Sequence, residues 1–419
     1  MPKLIPLSQA REIVLSHSSL LETEIVSLID AAGRVAAQDL QADIDSSPFA
    51  AAGMDGFAVH AADIENASED VPVILKVINE IAAGDYYEGD MPSGTCIRIM
   101  TGACVPPCAD TVVKYEIVTN VEGDGKCGSL VSFSAPAKLG ANVREPGEEA
   151  KAGETIVHAG DVINSGGVGF LASCGITEVL TYRRPHVAIM ATGSELVDAH
   201  EVPTNGKIRN SNAPALAACV VEAGCIPHVL PIVADKYELI LQAVKDAAKE
   251  YDYVLTTGGA CQGDFDFITQ VIEELGESFI TAVNMKPGKA ETFGIVEGTP
   301  VFGLPGNPAA AYIGFQMLVR PSLRKMQGYS HLERIKLKAK LSRDIKASRD
   351  PRMTLMRAIM TKNSERELEV APLGKQSSGL FGPLQQSNCL IIVPQGDIAH
   401  AKGEIIETIV LDIPEEVVL

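Results

Sequence analysis

Long apolar runs are missing from this chain. None of its 419 residues belongs to a stretch approaching the roughly 18 apolar residues of a membrane span. The opening residues, Met1-Pro2-Lys3-Leu4-Ile5-Pro6, also lack the apolar core of a signal peptide. Positive charge is scarce: 35 Lys and Arg face 54 Asp and Glu, a net charge of −19. That balance repels nucleic acid and anionic membranes, so neither is expected as a partner. An anionic ligand would need a local positive pocket. Paired cysteine motifs are missing too. Nine cysteines are scattered, their number is odd, and no C-x-x-C occurs. Cys104 and Cys108 come nearest to metal spacing, but no second pair or nearby histidine completes a zinc site. Reduced, buried thiols in a cytoplasmic protein are the expectation. Finally, there is no Walker A sequence, no G-x-G-x-x-G after the first α/β strand and no H-E-x-x-H. A P-loop NTPase, a dinucleotide dehydrogenase and a zincin are thereby disfavoured.

What is present is a globular composition, 46% hydrophobic and 21% charged, in a chain long enough for two to four domains. The first forty residues read as helical, with Ser8 as a cap for residues 9–16 and the pattern continuing through residues 27–36. Residues 46–145 are rich in Gly, Pro and short β-type runs and predict a β-rich domain. Residues 1–45 and 146–180 are expected to form a discontinuous helical linker domain, with a helix near residues 166–172. Residues 181–328 alternate strands and helices, which predicts a doubly wound, mostly parallel α/β domain. Residues 329–419 alternate Ile335, Leu337, Ala339 and Leu341 with lysines and predict a C-terminal β-barrel or sandwich.

Three loops in the α/β region draw attention. One follows the first strand as Thr192-Gly193-Ser194-Glu195. Another runs Thr257-Gly258-Gly259-Ala260-Cys261-Gln262-Gly263-Asp264-Phe265-Asp266. The third is Gly303-Leu304-Pro305-Gly306-Asn307-Pro308, with Asn307 suited to an N-cap and Pro308 to the first helical position. In open α/β sheets, ligands sit at the carboxyl ends of strands, beside a change in strand order. Lys286 and Lys289, in Lys286-Pro287-Gly288-Lys289, would supply positive charge to such a crevice. Glycine backbone, two lysines and a helix start together point to a phosphorylated ligand. Carboxylates beside phosphate usually serve Mg²⁺. Asp264 and Asp266 fit that role, or they cap the helix starting near Phe267.

Two segments lie outside that region. Met54-Asp55-Gly56-Phe57 places an Asp-Gly turn between apolar flanks, and Arg98-Ile99-Met100-Thr101-Gly102-Ala103 ends a strand in a Thr-Gly turn. Between positions 329 and 362 stand ten Lys and Arg against three Asp and Glu. This reversal of sign is either a solvated basic face or part of an anion site. Arg352 and Arg357 are its best candidates, because a guanidinium grips an oxyanion in a fork.

Taken in order, these pieces resemble one family. Pro48-Phe49 with Met54 through Val59 looks like its N-terminal signature, followed by Arg98 through Ala103 and the Ala109-Asp110-Thr111 block. Residues 191–196, 206–212, 257–259, 285–289 and 303–308 complete the set across nearly the whole chain. The set is similar to the molybdopterin molybdenumtransferases, the family of MoeA and the gephyrin E domain.

The resemblance implies insertion of molybdate into adenylylated molybdopterin, with AMP released and Mg²⁺ required, in molybdenum cofactor biosynthesis. It implies a homodimer whose cleft lies between the α/β domain of one subunit and the Asp-Gly domain of the other. Asp55, Thr101, Glu195, Asp266, Lys286 and Lys289 become expected catalytic residues. Glu149, Glu195 and Asp266 become expected metal ligands. Gly193, Ser194, Gly258, Gly259, Asp264, Gly303, Pro305, Gly306, Asn307, Pro308, Arg352, Arg357 and Ser378 become expected ligand-binding residues. Other proteins of molybdenum cofactor synthesis are implied as further partners. Two departures stand at the site: Cys261 replaces the family's usual serine, and Ala290 replaces the proline after the second lysine. They leave a non-catalytic molybdopterin-binding scaffold as one alternative. A tungstate-inserting enzyme is another.

Overall fold

The computed structural model describes residues 4–258, 267–347, 350–396 and 399–412. The chain divides into two compact units. One contains residues 25–32 and 38–179, the other residues 1–24, 33–37 and 180–419.

The smaller unit is built on a six-stranded half-barrel. Across the sheet its strands run Thr111–Lys114, Gly56–Val59, Thr95–Ile99, Val73–Ile81, Leu130–Phe133 and Val118–Glu122. Alternate side chains bury on two faces, Phe57, Val77, Val113 and Phe133 on one and Ala58, Ile97, Ile99 and Val112 on the other. The antiparallel pairing of Gly56 with Ile99 sets the residues just before one strand beside those just after the other. The same unit holds the helix Ser165–Ser173, whose cap Asn164 accepts a hydrogen bond from the Gly167 amide.

The larger unit contains a six-stranded sheet and a closed barrel. The sheet order is Ile226–Val229, His186–Ala191, Tyr253–Thr257, Thr299–Leu304, Thr292–Val296 and Gly276–Ile280. The first four strands are parallel, and Thr292–Val296 pairs antiparallel with the strand on either side of it. The helices Asn212–Glu222 and Pro308–Gly314 pack on one face, and Tyr237–Glu250 and Phe267–Leu275 on the other. Both faces of the parallel strands are thus covered, which is why His186–Ala191 reads as a near-continuous apolar run and every residue of Tyr253–Thr257 is buried. Beyond the sheet, Lys336–Leu341, Met353–Lys362, Leu368–Pro372, Cys389–Val393 and Ile405–Val410 close into a five-stranded barrel. The short strand Met285–Lys286 joins that barrel by pairing in parallel with Met353 and Thr354. The fold class expected from the sequence, doubly wound α/β with separate β-rich parts and a C-terminal barrel, is the one found.

The start of the chain differs from expectation. Only Leu7–Ser16 is helical, and it begins directly after Pro6 rather than with Ser8 as its cap. Thr23–Ser27 is a strand with alternating exposure. A turn follows, in which Ser27 and Asp30 bond each other and Gly33 takes φ +76°. Ser and Asp draw the backbone into turns by such local bonds, which overrides the apolar spacing that suggested helix. Among the described residues every cysteine is an unpaired thiol, and no helix is long and apolar enough to cross a membrane.

Candidate functional site

The chain order of the sheet reverses between His186–Ala191 and Tyr253–Thr257, the position where open α/β sheets bind ligands. Three parallel strands end there side by side. Thr192 donates its amide to Thr257 O at 2.9 Å, and Gly258 donates to Leu304 O at 3.3 Å. Gly258 has φ +93°, and a Cβ on it would stand 2.2 Å from the Thr192 carbonyl oxygen. Only glycine allows the two loops this approach. Asn212, at the start of its helix, locks them further. Its Nδ2 donates to Thr257 Oγ1 at 2.8 Å and to Gly306 O at 2.9 Å. Thr257 Oγ1 in turn donates to Pro305 O at 3.3 Å. Asn212 Oδ1 and Thr192 Oγ1 are buried without a hydrogen-bond partner. Unpaired buried oxygens are rare in folded chains and mark places where a polar group is wanted.

Gly193, Ser194 and Glu195 form the rim. The Ser194 amide donates to Asp235 Oδ2 at 2.9 Å, and the Asp235 amide donates back to Ser194 Oγ at 3.3 Å. Glu195 is exposed and its carboxylate lies over Gly193, where a Cβ would come 2.7 Å from Oε2. Lys207 Nζ donates to Ser194 O. Asp235 was not anticipated from the sequence. It follows the Pro231-Ile232-Val233 run, whose Val233 accepts the Gly193 amide at 3.1 Å.

The third loop opens onto a cleft of about 790 Å³ inside the larger unit. Lys286, Lys289, Pro305, Asn307, Arg352 and Ser378, all anticipated, line it. Arg343 and Lys346, not anticipated individually, add to its wall. Five cations therefore face one lining carboxylate, Asp344, in a chain of net charge −19. The basic stretch after position 329 is thus partly wall of this cleft and partly solvated strand. Lys340, for instance, pairs with Glu367 at 3.2 Å, both at the surface.

Lys286 and Arg352 come together because Met285–Lys286 pairs with the barrel strand at Met353 and Thr354. Asp350 holds both. Its Oδ2 accepts from Lys286 Nζ at 3.2 Å and from Arg352 Nη2 at 2.7 Å, while Oδ1 accepts from Arg352 Nε at 2.9 Å. These bonds, those to Arg352 foremost, keep the Asp350 carboxyl far below the usual carboxylate range.

Several expected residues stand differently. Arg357 is 1% exposed and does not line the cleft. Its guanidinium donates to Gln376 Oε1 at 3.3 Å and to Ser377 O at 3.0 Å, so it braces the loop that carries Ser378. Burial on the barrel strand, where Arg357 pairs with Leu390, turns the fork inward. Asn307 occupies the N-cap position and Pro308 the first helical one, but the Asn307 side chain makes no capping bond. The Ala309 amide at that helix start is taken by Ser378 O at 2.8 Å. Gly303 is a strand residue packed on Ile268, whose Cγ2 would meet an added Cβ at 2.8 Å. Gly259, Cys261, Asp264 and Asp266 lie outside the described residues.

In the smaller unit, the pairing of Gly56 with Ile99 brings Asp55 and Thr101 together. Thr101 N and Oγ1 each donate to Asp55 Oδ1 at 2.7 Å. The backbone bond, then the hydroxyl bond, lower the Asp55 pKa, so this exposed carboxylate stays ionised. Glu149 sits elsewhere in that unit, in a hollow of about 540 Å³ with Ser46, Arg144 and two further glutamates. It accepts from Ser46 Oγ at 3.2 Å. No group of three His, Cys, Asp or Glu among the described residues could hold a metal ion by itself.

Comparison with known proteins matches three successive stretches of the chain. Residues 5–175 match the MoeA N-terminal region (domain I and II), residues 188–325 a probable molybdopterin binding domain, and residues 338–411 the MoeA C-terminal region (domain IV). A molybdopterin molybdenumtransferase of Bacillus subtilis (strain 168) is 34% identical over 97% of this chain and 94% of its own. One from Staphylococcus aureus (strain COL) is 32% identical over 97% of this chain and 96% of its own. Among solved structures, a molybdopterin biosynthesis MoeA protein of Pyrococcus horikoshii superposes with a TM-score of 0.79 at 30% identity, covering 97% of this chain and 99% of its own. By full-length identity, ordered domains and shared fold, the chain belongs to the molybdopterin molybdenumtransferase family.

Proposed function

We propose that the chain inserts molybdate into adenylylated molybdopterin and releases AMP, and that the five-cation cleft receives the oxyanion. The observation that carries this reading is the concentration of Lys286, Lys289, Arg343, Lys346 and Arg352 around one cleft in a strongly acidic chain. Fixed cations that replace water around an anion hold it without reorganisation. The neighbouring strand ends supply what a phosphorylated pterin needs. Gly258 and Gly306 offer close backbone approach beside the loops that Asn212 locks together.

Mg²⁺ is proposed at the pyrophosphate, where it would neutralise charge as AMP leaves. With no three-carboxylate cluster among the described residues, the ion would be held by one or two carboxylates and by ligand oxygens, its usual habit. Glu195, exposed at the rim of the strand ends, is the proposed ligand among the described residues, with Asp266 and Glu149 as the other expected ligands. The protein is proposed to act in the cytoplasm as a homodimer, the ionised Asp55 of one subunit serving the other's cleft. Its proposed domains are residues 1–45 with 146–180, 46–145, 181–328 and 329–419.

The test is AMP release from adenylylated molybdopterin with and without molybdate, for the wild type and Lys289→Ala. Molybdate-dependent release that falls at least tenfold in the variant is the expected result. Tight pterin binding without release would identify a scaffold. Preference for tungstate in direct competition would change the metal and leave the site.

A further inference from the structure

The Asp350 arrangement presents a paradox. A site for an oxyanion holds a permanent carboxylate in contact with two of its five cations. By charge alone, Asp350 works against the ligand.

Geometry gives the opposite sign. Lys286 and Arg352 reach the cleft from different elements, the short strand Met285–Lys286 and the segment just before Met353–Lys362. Both are long side chains with several rotatable bonds, and their side chains are 44% and 22% exposed. Left alone, each would lose that freedom when a ligand bound. Asp350, 18% exposed, takes Arg352 in a two-point fork and Lys286 by the oxygen shared with Nη2. The fork fixes the guanidinium plane, which a single contact would not. Arg352 Nη1 is turned to the Met285 carbonyl, 3.4 Å away on the strand that carries Lys286. The carboxylate thereby ties barrel to lysine loop, and one rigid unit carries both cations.

We propose that Asp350 is a positioning residue for oxyanion recognition. It aligns Lys286 and Arg352 as a preset pair for a tetrahedral dianion, and this order outweighs its own repulsion. The inference rests on the reading of the cleft as the molybdate site.

The experiment is equilibrium binding of molybdate to the full-length protein by calorimetry, with the molybdate KM for AMP release measured in parallel. Asp350→Asn removes the charge and keeps the size. Affinity is expected to fall about tenfold, as two side chains must now be ordered by the ligand. The molybdate KM should rise in step, while the KM for adenylylated molybdopterin stays within about twofold. Asp350→Glu keeps the charge on a longer arm and should recover most of the affinity, a rescue that a merely structural residue would not show. Affinity equal to or above wild type in Asp350→Asn overturns the proposal, because repulsion then dominates. If that variant does not fold, Asp350→Glu decides alone: affinity within about threefold of wild type supports positioning, and a larger loss overturns it. Lys289→Ala separates this inference from its foundation. Wild type that binds molybdate unaffected by Lys289→Ala refutes the cleft reading, as does wild type that binds none, and the inference falls with it. Binding lost in Lys289→Ala but kept in Asp350→Asn refutes the inference alone.

Discussion

Glu291 offers the sharpest test of how the lysine loop is supported. It is completely buried, two residues beyond Lys289, and neither carboxyl oxygen has a hydrogen-bond partner. It fills the space beside two glycines: an added Cβ would stand 2.7 Å from Oε1 at Gly288 and 2.4 Å from it at Gly314. Burial pushes its pKa well above the ordinary 4.5. The sign follows from proton counting. Between 4.5 and the raised value, the folded chain keeps a proton that the unfolded chain has released. Stability therefore falls as pH rises through that window, by about 1.4 kcal/mol per pH unit. Glu291→Gln cannot titrate and should abolish this slope. Glu291→Met also removes the unpaired oxygens and should be more stable than wild type at neutral pH. Native-state hydrogen exchange of the strand Thr292–Val296, followed by mass spectrometry across pH, reads the local free energy. Parallel pH curves for wild type and Glu291→Gln would refute the reasoning.

Three other outcomes follow from the geometry. Arg357→Ala should destabilise the barrel by about 3 kcal/mol in denaturant unfolding, because it strands the carbonyls and Gln376 that the buried guanidinium now satisfies. Arg357→Lys should recover little, lacking the fork. Gly258→Ala should cost at least about 2 kcal/mol, and lower affinity for molybdopterin, since a Cβ cannot share space with the Thr192 carbonyl. Asp55→Asn should cut turnover at least about a hundredfold with an unchanged melting temperature. Because the bonds from Thr101 lower the Asp55 pKa, the loss of wild-type activity that follows Asp55 protonation should come below the ordinary 3.8.

Much of the fold could be read from local pattern. The alternation of strands and helices expected over residues 181–328 is found, because apolar runs such as His186–Ala191 and one-sided apolar stretches such as Asn212–Glu222 state their own period. The antiparallel edge of the sheet was not foreseen. The helix Phe267–Leu275 passes into the strand Gly276–Ile280 without an intervening turn, and Glu277 and Ser278 give that strand no apolar run. The lysines of the cleft were visible as charges in an acidic chain. Asp350 was not, because its meaning arises only when Lys286 pairs with Thr354 across more than sixty residues of sequence. Arg357 misled for the same reason. A basic side chain in a basic stretch looks exposed, and only the barrel register shows that it points inward.

The central claim is that the cleft walled by Lys286, Lys289, Arg343, Lys346 and Arg352 receives the oxyanion. The most direct measurement is anomalous diffraction from crystals of the protein soaked with tungstate, the heavy analogue of molybdate in size and charge. A tungsten peak within hydrogen-bonding reach of Lys289 and Arg352, lost in Lys289→Ala crystals, is the predicted result. A peak only elsewhere, or one that survives the loss of Lys289, would contradict the account.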